Sequence, residues 1–237
     1  MKVFPKAAIY LPLPKTYQTS FMYSKIRQQL KTTPAKLIAV SKTKPDWAIL
    51  ELYNKGQRAF GENKAQELAA KYEQLPKDIE WHFIGHLQTN KVKYIAPFVR
   101  CIHSIDSIKI LKEVNKQAAK NGRVIDCLLQ FHIAEEESKF GLDEKEAEVL
   151  LASPAASKFE NVRITGVMGM ATFTDNLEQV RREFKHLKSI FDQLKKAFFS
   201  DKEYFKEISM GMSGDYEIAV EEGSTMVRIG TLIFGER

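Results

Sequence analysis

Only two cysteines occur in the 237 residues, Cys101 and Cys127, each inside an apolar strand-like run. That excludes a disulfide framework and points to small buried thiols in a reducing compartment. No apolar run approaches the roughly 20 residues that cross a bilayer. The short stretch from Ala7 to Leu11 is flanked by Pro5, Pro12 and Pro14, which reads poorly as a signal peptide. The chain also lacks a Walker loop, an RNP motif, a CxxC pair and a GxGxxG turn after its first apolar run. These absences speak against nucleotide-hydrolysing, RNA-reading and dinucleotide-binding classes. The net charge of +6 raises a polyanion partner, but acidic residues are interspersed throughout. Arg181-Arg182 and Lys195-Lys196 lie on helical stretches, where solvated faces explain them. We expect a soluble, cytoplasmic protein with neither nucleic acid nor membrane as partner.

What is present is a repeated alternation. Hydrophobic residues make up 44% of the chain and charged residues 28%, an ordinary globular balance that can bury a core. Short runs rich in Val, Ile and Phe fall at Lys36–Ser41, Arg58–Gly61, Glu80–Gly85, Cys101–Ile105, Val124–Ile133, Ile164–Met170, Glu207–Met212 and Met226–Gly230. Between them lie helical patterns at about Asp46–Lys55, Asn63–Gln74, Thr89–Ala96, Ser107–Lys120, Asp143–Ala152, Leu177–Phe199 and Tyr216–Glu222. Gly56, Gly122 and Gly223 stand just past three of these helices, where a C-terminal cap is expected. Eight strands alternating with helices in a chain near 250 residues predict a single (β/α)8 TIM barrel. A doubly wound open sheet is the runner-up. An amphipathic segment at about Phe21–Lys31 predicts an extra N-terminal helix before the first strand. We therefore expect one barrel domain over 19–237, preceded by a proline-broken extension over 1–18.

Barrel enzymes place their chemistry at the C-terminal ends of the strands, with phosphates often held by the loops after strands seven and eight. Lys42 follows strand one and shares a face with Ile38 and Val40, so it points into the barrel mouth if they point inward. Lys44 has the same parity, but Pro45 restricts it, and it is expected to begin the turn. After strand seven comes Gly211-Met212-Ser213-Gly214-Asp215, and after strand eight Gly230-Thr231, two small-residue turns able to present N–H and hydroxyl donors to one phosphate. The plainer readings are that Ser213 caps a helix and Gly230 makes a tight corner. Arg228, inside strand eight, needs an acceptor: a pyridine nitrogen, or an ion pair with Asp215 or Glu217. Asn63 after strand two either caps the next helix, the safer reading, or bonds a ligand. An amine at one loop and a phosphate cradle at two others suggest a pyridoxal 5′-phosphate site. The two histidines four apart, His82 and His86, lack the carboxylate and helix of a metal motif, so no metal is expected.

With those residues laid out, the chain closely resembles the pyridoxal phosphate homeostasis family. The matching stretches are Ala39-Val40-Ser41-Lys42-Thr43-Lys44-Pro45, Phe60-Gly61-Glu62-Asn63, Trp81-His82-Phe83-Ile84-Gly85-His86-Leu87-Gln88-Thr89-Asn90-Lys91, Ser138-Lys139-Phe140-Gly141, Ser209-Met210-Gly211-Met212-Ser213, and the run from Gly223 to Gly230. The likeness covers nearly everything from Lys36 onward. It implies the barrel of the alanine racemase N-terminal domain, with Lys42 as the Schiff-base lysine and Arg228 facing the pyridine nitrogen. Ser213, Gly214, Gly230 and Thr231 would then hold the phosphate, with Asn63 nearby. Residues 1–18 are longer than the usual family start, and Gly214-Asp215-Tyr216 replaces a more acidic loop.

Racemases of this fold append a β-domain that supplies a second acid/base, and the present chain stops shortly after strand eight. Missing general acid–base help costs about 10²–10⁴-fold in rate. The expected role is therefore a monomeric carrier that buffers the coenzyme or delivers it to apo-enzymes, with no catalytic residue of its own. The alternative is a single-domain racemase or lyase using His82 or Tyr216 as its second base.

Overall fold

The computed structural model describes residues 15–136 and 140–236, with side chains from residue 21 onward. Eight parallel strands close into a barrel in sequence order: β1 Lys36–Val40, β2 Ala59–Glu62, β3 Glu80–Phe83, β4 Cys101–Ile105, β5 Ile125–Phe131, β6 Val162–Gly169, β7 Glu207–Ser209 and β8 Met226–Ile229. Closure is made by β1 and β8, where Ile38 stands opposite Arg228 and Ala39 opposite Ile229. The open doubly wound sheet is thereby excluded. All eight expected strands are present: β1, β3, β5 and β8 are one or two residues shorter at one or both ends, β7 ends three residues early, β2 is shifted by one residue and β6 begins two residues earlier.

Helices α1 Lys15–Leu30, α2 Asp46–Asn54, α3 Ala65–Gln74, α4 Val92–Ile95, α5 Ile108–Lys120, α6 Glu144–Ala152, α7 Leu177–Phe198, α8 Tyr216–Glu221 and α9 Thr231–Phe234 connect and flank the strands. The first helix reaches back to Lys15, so Lys15 to Gln18 belong to it and not to a ragged extension; no proline lies between Lys15 and Leu30 to interrupt it. Residues 1–14 of the expected extension lie outside the described residues. The expected helix at Thr89–Ala96 is a 3-10 turn over Thr89–Lys91 continued by α4. The short α9 was not expected at all. Gly56, Gly122 and Gly223 follow α2, α5 and α8 with φ of 89°, 60° and 93°, the left-handed geometry that an absent Cβ permits.

Alternate strand residues divide the protein into two layers. Outward-facing Leu37, Ala39, Phe60, Trp81, Ile102, Leu129, Val167 and Ile229 join the helices in one continuous apolar core. In α7 the buried positions Val180, Phe184, Leu187, Ile190 and Leu194 recur every three or four residues, one helical stripe against the sheet. The inward set is mixed: Cys101, Leu128 and Met168 form a small apolar cluster, and around it stand buried His82, His103, Ser209 and Arg228. In β6 an extra residue before Gly166 shifts the register against β5, so Thr165 and Met168 both turn inward. Gly166 is required there, because a Cβ would sit 1.7 Å from the Glu207 carbonyl oxygen. Both cysteines are buried and free. Among the described residues no helix is long and apolar enough to cross a membrane.

Candidate functional site

A cavity of about 670 Å³ opens at the C-terminal end of the barrel, and it is lined by Lys42, Asn63, Ser213, Gly214, Arg228, Gly230 and Thr231, every site residue expected from the sequence. Val40 lines the same cavity, while Ile38 lines a separate one at the opposite end. The strand alternation thus carries Lys42 into the mouth. Thr43, at φ 63°, then reverses the chain, a strained conformation for a β-branched residue that Glu67 secures by accepting its N–H at 2.6 Å. Beyond it, Lys44 turns to the C-terminal segment, donating to the carbonyls of Phe234, Gly235 and Glu236.

Behind Lys42 lies a buried charged cluster that the sequence reading missed. Lys71 donates to the Ser41 carbonyl, Glu62 Oε1 and Glu67 Oε1, each at 2.8 Å, and the Ser41 hydroxyl donates to Glu62 at 2.6 Å. Burial pushes the Glu62 carboxyl above the usual range and Lys71 opposes it. For Glu67 burial is outweighed by its bonds from Lys71 and the Thr43 amide, which hold it low. The signal lay in the i, i+4 pair Glu67 and Lys71, but only the strand partner Glu62 gives it meaning.

The two small-residue turns meet as expected. Ser213 Oγ accepts from the Leu232 N–H at 3.4 Å, joining the loop after β7 to the one after β8. Ser213 does not cap α8, whose N-cap is Asp215. Asn63 is no cap either: α3 starts at Ala65 behind Lys64, which leaves the Asn63 Oδ1 buried at the cavity without a partner among the described residues. A Cβ on Gly230 would press within 3.2 Å of Val40, so the glycine lets this turn approach β1 closely. Arg228 is buried, and burial lowers its pKa to about 10, with Asp215 opposing. It remains a cation at neutral pH. Among the described residues it makes no ion pair with Asp215 or Glu217; its donors go to Ser209 Oγ at 2.7 Å and the Gly169 carbonyl at 3.1 Å.

Neither alternative base reaches this cavity. His82 lies deeper, against the opposite cavity, and the Tyr216 hydroxyl bonds Gln29 at 2.9 Å. The titratable side chains among the described lining residues are Lys42, Arg228, Asp175 and Asp215. The loop from Thr172 to Asp175, also missed from sequence, forms one wall, anchored by buried Glu183, which accepts from the Thr172 N–H and hydroxyl, each at 2.7 Å. His86 sits outside the barrel, 3.3 Å from Asp106. Ser138 and Lys139 of the quoted motif lie outside the described residues.

The alanine racemase N-terminal domain matches residues 22–237. The pyridoxal phosphate homeostasis protein of Aquifex aeolicus is 43% identical over 204 residues, 86% of this chain and 87% of that one. The chain belongs to the pyridoxal phosphate homeostasis protein family. The human family member is 37% identical over 220 residues, covering 89% of this chain and 79% of its own. The solved structure of PipY from Synechococcus elongatus with PLP bound superposes at a TM-score of 0.83 with 34% identity, covering 92% of this chain and all of that one.

Proposed function

We propose that the protein binds pyridoxal 5′-phosphate in the upper cavity and serves its homeostasis, buffering the coenzyme or delivering it without transforming amino acids. The observation that carries the reading is the convergence of Lys42, Arg228 and the two small-residue turns on one cavity. The residues fit the group: an amine, a buried cation with N–H donors, an orphaned amide oxygen on Asn63, and a glycine that keeps the turn after β8 against β1. Lys42 would carry the Schiff base, Arg228 would face the ring nitrogen, and Ser213, Gly214, Gly230 and Thr231 would take the phosphate, with Asn63 beside them. The coenzyme supplies an electrophilic aldehyde and an electron sink.

What the chain does with that group follows from its own donors. Arg228 keeps its protons and can only donate, so it would hold a ring nitrogen in its unprotonated form and make the coenzyme a weak electron sink. His82 and Tyr216 lie elsewhere, which favours a carrier over the racemase or lyase reading. The homeostasis name of the relatives and the PLP bound to PipY support the same role. We extend the proposal to a cytoplasmic monomer with apo-enzymes as recipients, on the sequence composition and the family likeness.

The test is to saturate the protein with coenzyme, record its absorbance, reduce with borohydride and map the labelled peptide. A coloured protein labelled on Lys42, and unlabelled as Lys42→Ala, is expected. A colourless, unlabelled preparation refutes binding, and sustained turnover of an amino acid that Lys42→Ala abolishes refutes the carrier role.

A further inference from the structure

Four inward-facing side chains from β8, β7, β4 and β3 form a continuous hydrogen-bonded file through the barrel interior. Arg228 Nη1 lies 2.7 Å from Ser209 Oγ, which lies 2.9 Å from His103 Nδ1, and His103 Nε2 lies 2.8 Å from His82 Nδ1. All four are almost completely buried. His82 also lines the lower cavity, so the file spans the barrel from one cavity to the other.

Proton bookkeeping fixes the direction of every bond. A guanidinium can only donate, so Ser209 Oγ accepts from Arg228. Had His103 Nδ1 also donated to Ser209, the serine hydrogen would need a further acceptor, and among the described residues the structure gives it none. A buried hydroxyl left without an acceptor is costly. Ser209 therefore donates to His103 Nδ1. The His103 proton is then on Nε2 and goes to His82 Nδ1, which leaves the His82 proton on Nε2. Burial drives the pKa of both rings down, that of His82 to about 3, so both are neutral at pH 7.

We propose that Ser209, His103 and His82 are positioning residues that hold Arg228 as an oriented cation through this single-direction file. Each dipole in it presents its negative end toward the guanidinium, which has no carboxylate partner among the described residues and would otherwise stand poorly solvated. With one proton on Ser209 and another on the Gly169 carbonyl, the plane of the guanidinium is fixed. The part of this role that concerns a pyridine nitrogen rests on the function proposed above; the file itself does not.

A metal site is the competing reading of the same cluster, since ligand atoms of His82, Cys101 and His103 lie within 4.8 Å of one another. Two nitrogens on one tetrahedral zinc stand about 3.3 Å apart, given bonds of 2.0–2.1 Å. The imidazoles here are closer than that, at 2.8 Å. The surrounding charges also oppose a cation: Arg100 and Lys36 act on His82, and Arg228 acts on His103.

The test uses protein labelled with 15N-histidine and no added coenzyme. Two-bond proton–nitrogen spectra at pH 7, assigned through His82→Gln and His103→Gln, should show both rings neutral with the proton on Nε2. An Nδ1–H form or an imidazolium at either ring overturns the file. Positioning is read from hydrogen exchange of the Arg228 guanidinium. It should quicken about tenfold in Ser209→Ala, the loss of one charged hydrogen bond, and keep its slow rate in Ser209→Thr. Equal exchange in the two variants removes the positioning role. Because neither readout needs coenzyme, failure here is separable from failure of the borohydride label on Lys42.

Discussion

Replacing Lys71 by Met tests the charged cluster that backs the coenzyme lysine. The substitution keeps a long apolar stem and deletes the ammonium that bonds Ser41, Glu62 and Glu67. Glu67 is partly exposed and can turn to water, but the Glu62 side chain is fully buried and its Oε2 already has no partner among the described residues. After the change the carboxylate keeps only the Ser41 hydroxyl. Breaking a buried pair from one side costs about 3–5 kcal/mol, against a net domain stability of about 5–15 kcal/mol. The pH dependence has a definite sign. Glu62 is raised above its ordinary 4.5 in the folded protein by burial, with Lys71 holding it back. A raised acid contributes stability that is complete below 4.5 and lost as pH rises through the folded value. Without Lys71 that value climbs further, so the penalty is large at neutral pH and shrinks toward pH 5. Urea unfolding at pH 7.5 and pH 5 measures both, and Glu62→Gln added to Lys71→Met should recover most of the loss at pH 7.5. A penalty below about 1 kcal/mol, the same penalty at both pH values, or a double variant no better than the single one refutes the reasoning.

Acid should also reach the histidine file. The His82 pKa falls from 6.5 to about 3 by burial, so its contribution is full above 6.5 and is lost as pH falls from there toward 3. Two pH units below 6.5 remove about 3 kcal/mol. Urea unfolding at pH 7 and 4.5 should show a clearly smaller acid loss in His82→Gln than in the unaltered protein, and equal losses would contradict the assignment. In β6, Gly166→Ala forces a Cβ to 1.7 Å from the backbone oxygen of Glu207. A cost of about 3 kcal/mol is expected, the upper end for overpacking, or about 6–12 °C in melting temperature. A shift under about 2 °C would show that the strand yields easily.

Much of the barrel was legible because its signals are local. Alternating apolar runs mark the strands, and the same period of two places Ile38, Val40 and Lys42 on one face before any contact is known. The glycines after α2, α5 and α8 announce their helix ends for an equally local reason, the positive φ that a Cβ resists. Where the sequence misled, the point at which a helix begins decided. Asn63 reads as a cap, yet α3 begins two residues later and leaves that amide at the cavity.

The sequence by itself determined the βα period, the inward parity of Lys42, the place of Arg228 in strand eight, and the small-residue turns that follow β7 and β8. Tertiary structure alone decided what those residues meet. Closing β1 against β8 set Lys42 and Arg228 on one cavity, and only the closed barrel brings Ser209 to His103 across 106 positions of chain. Such contacts leave no spacing in the sequence, because strands far apart along the chain become neighbours only when the sheet curls shut.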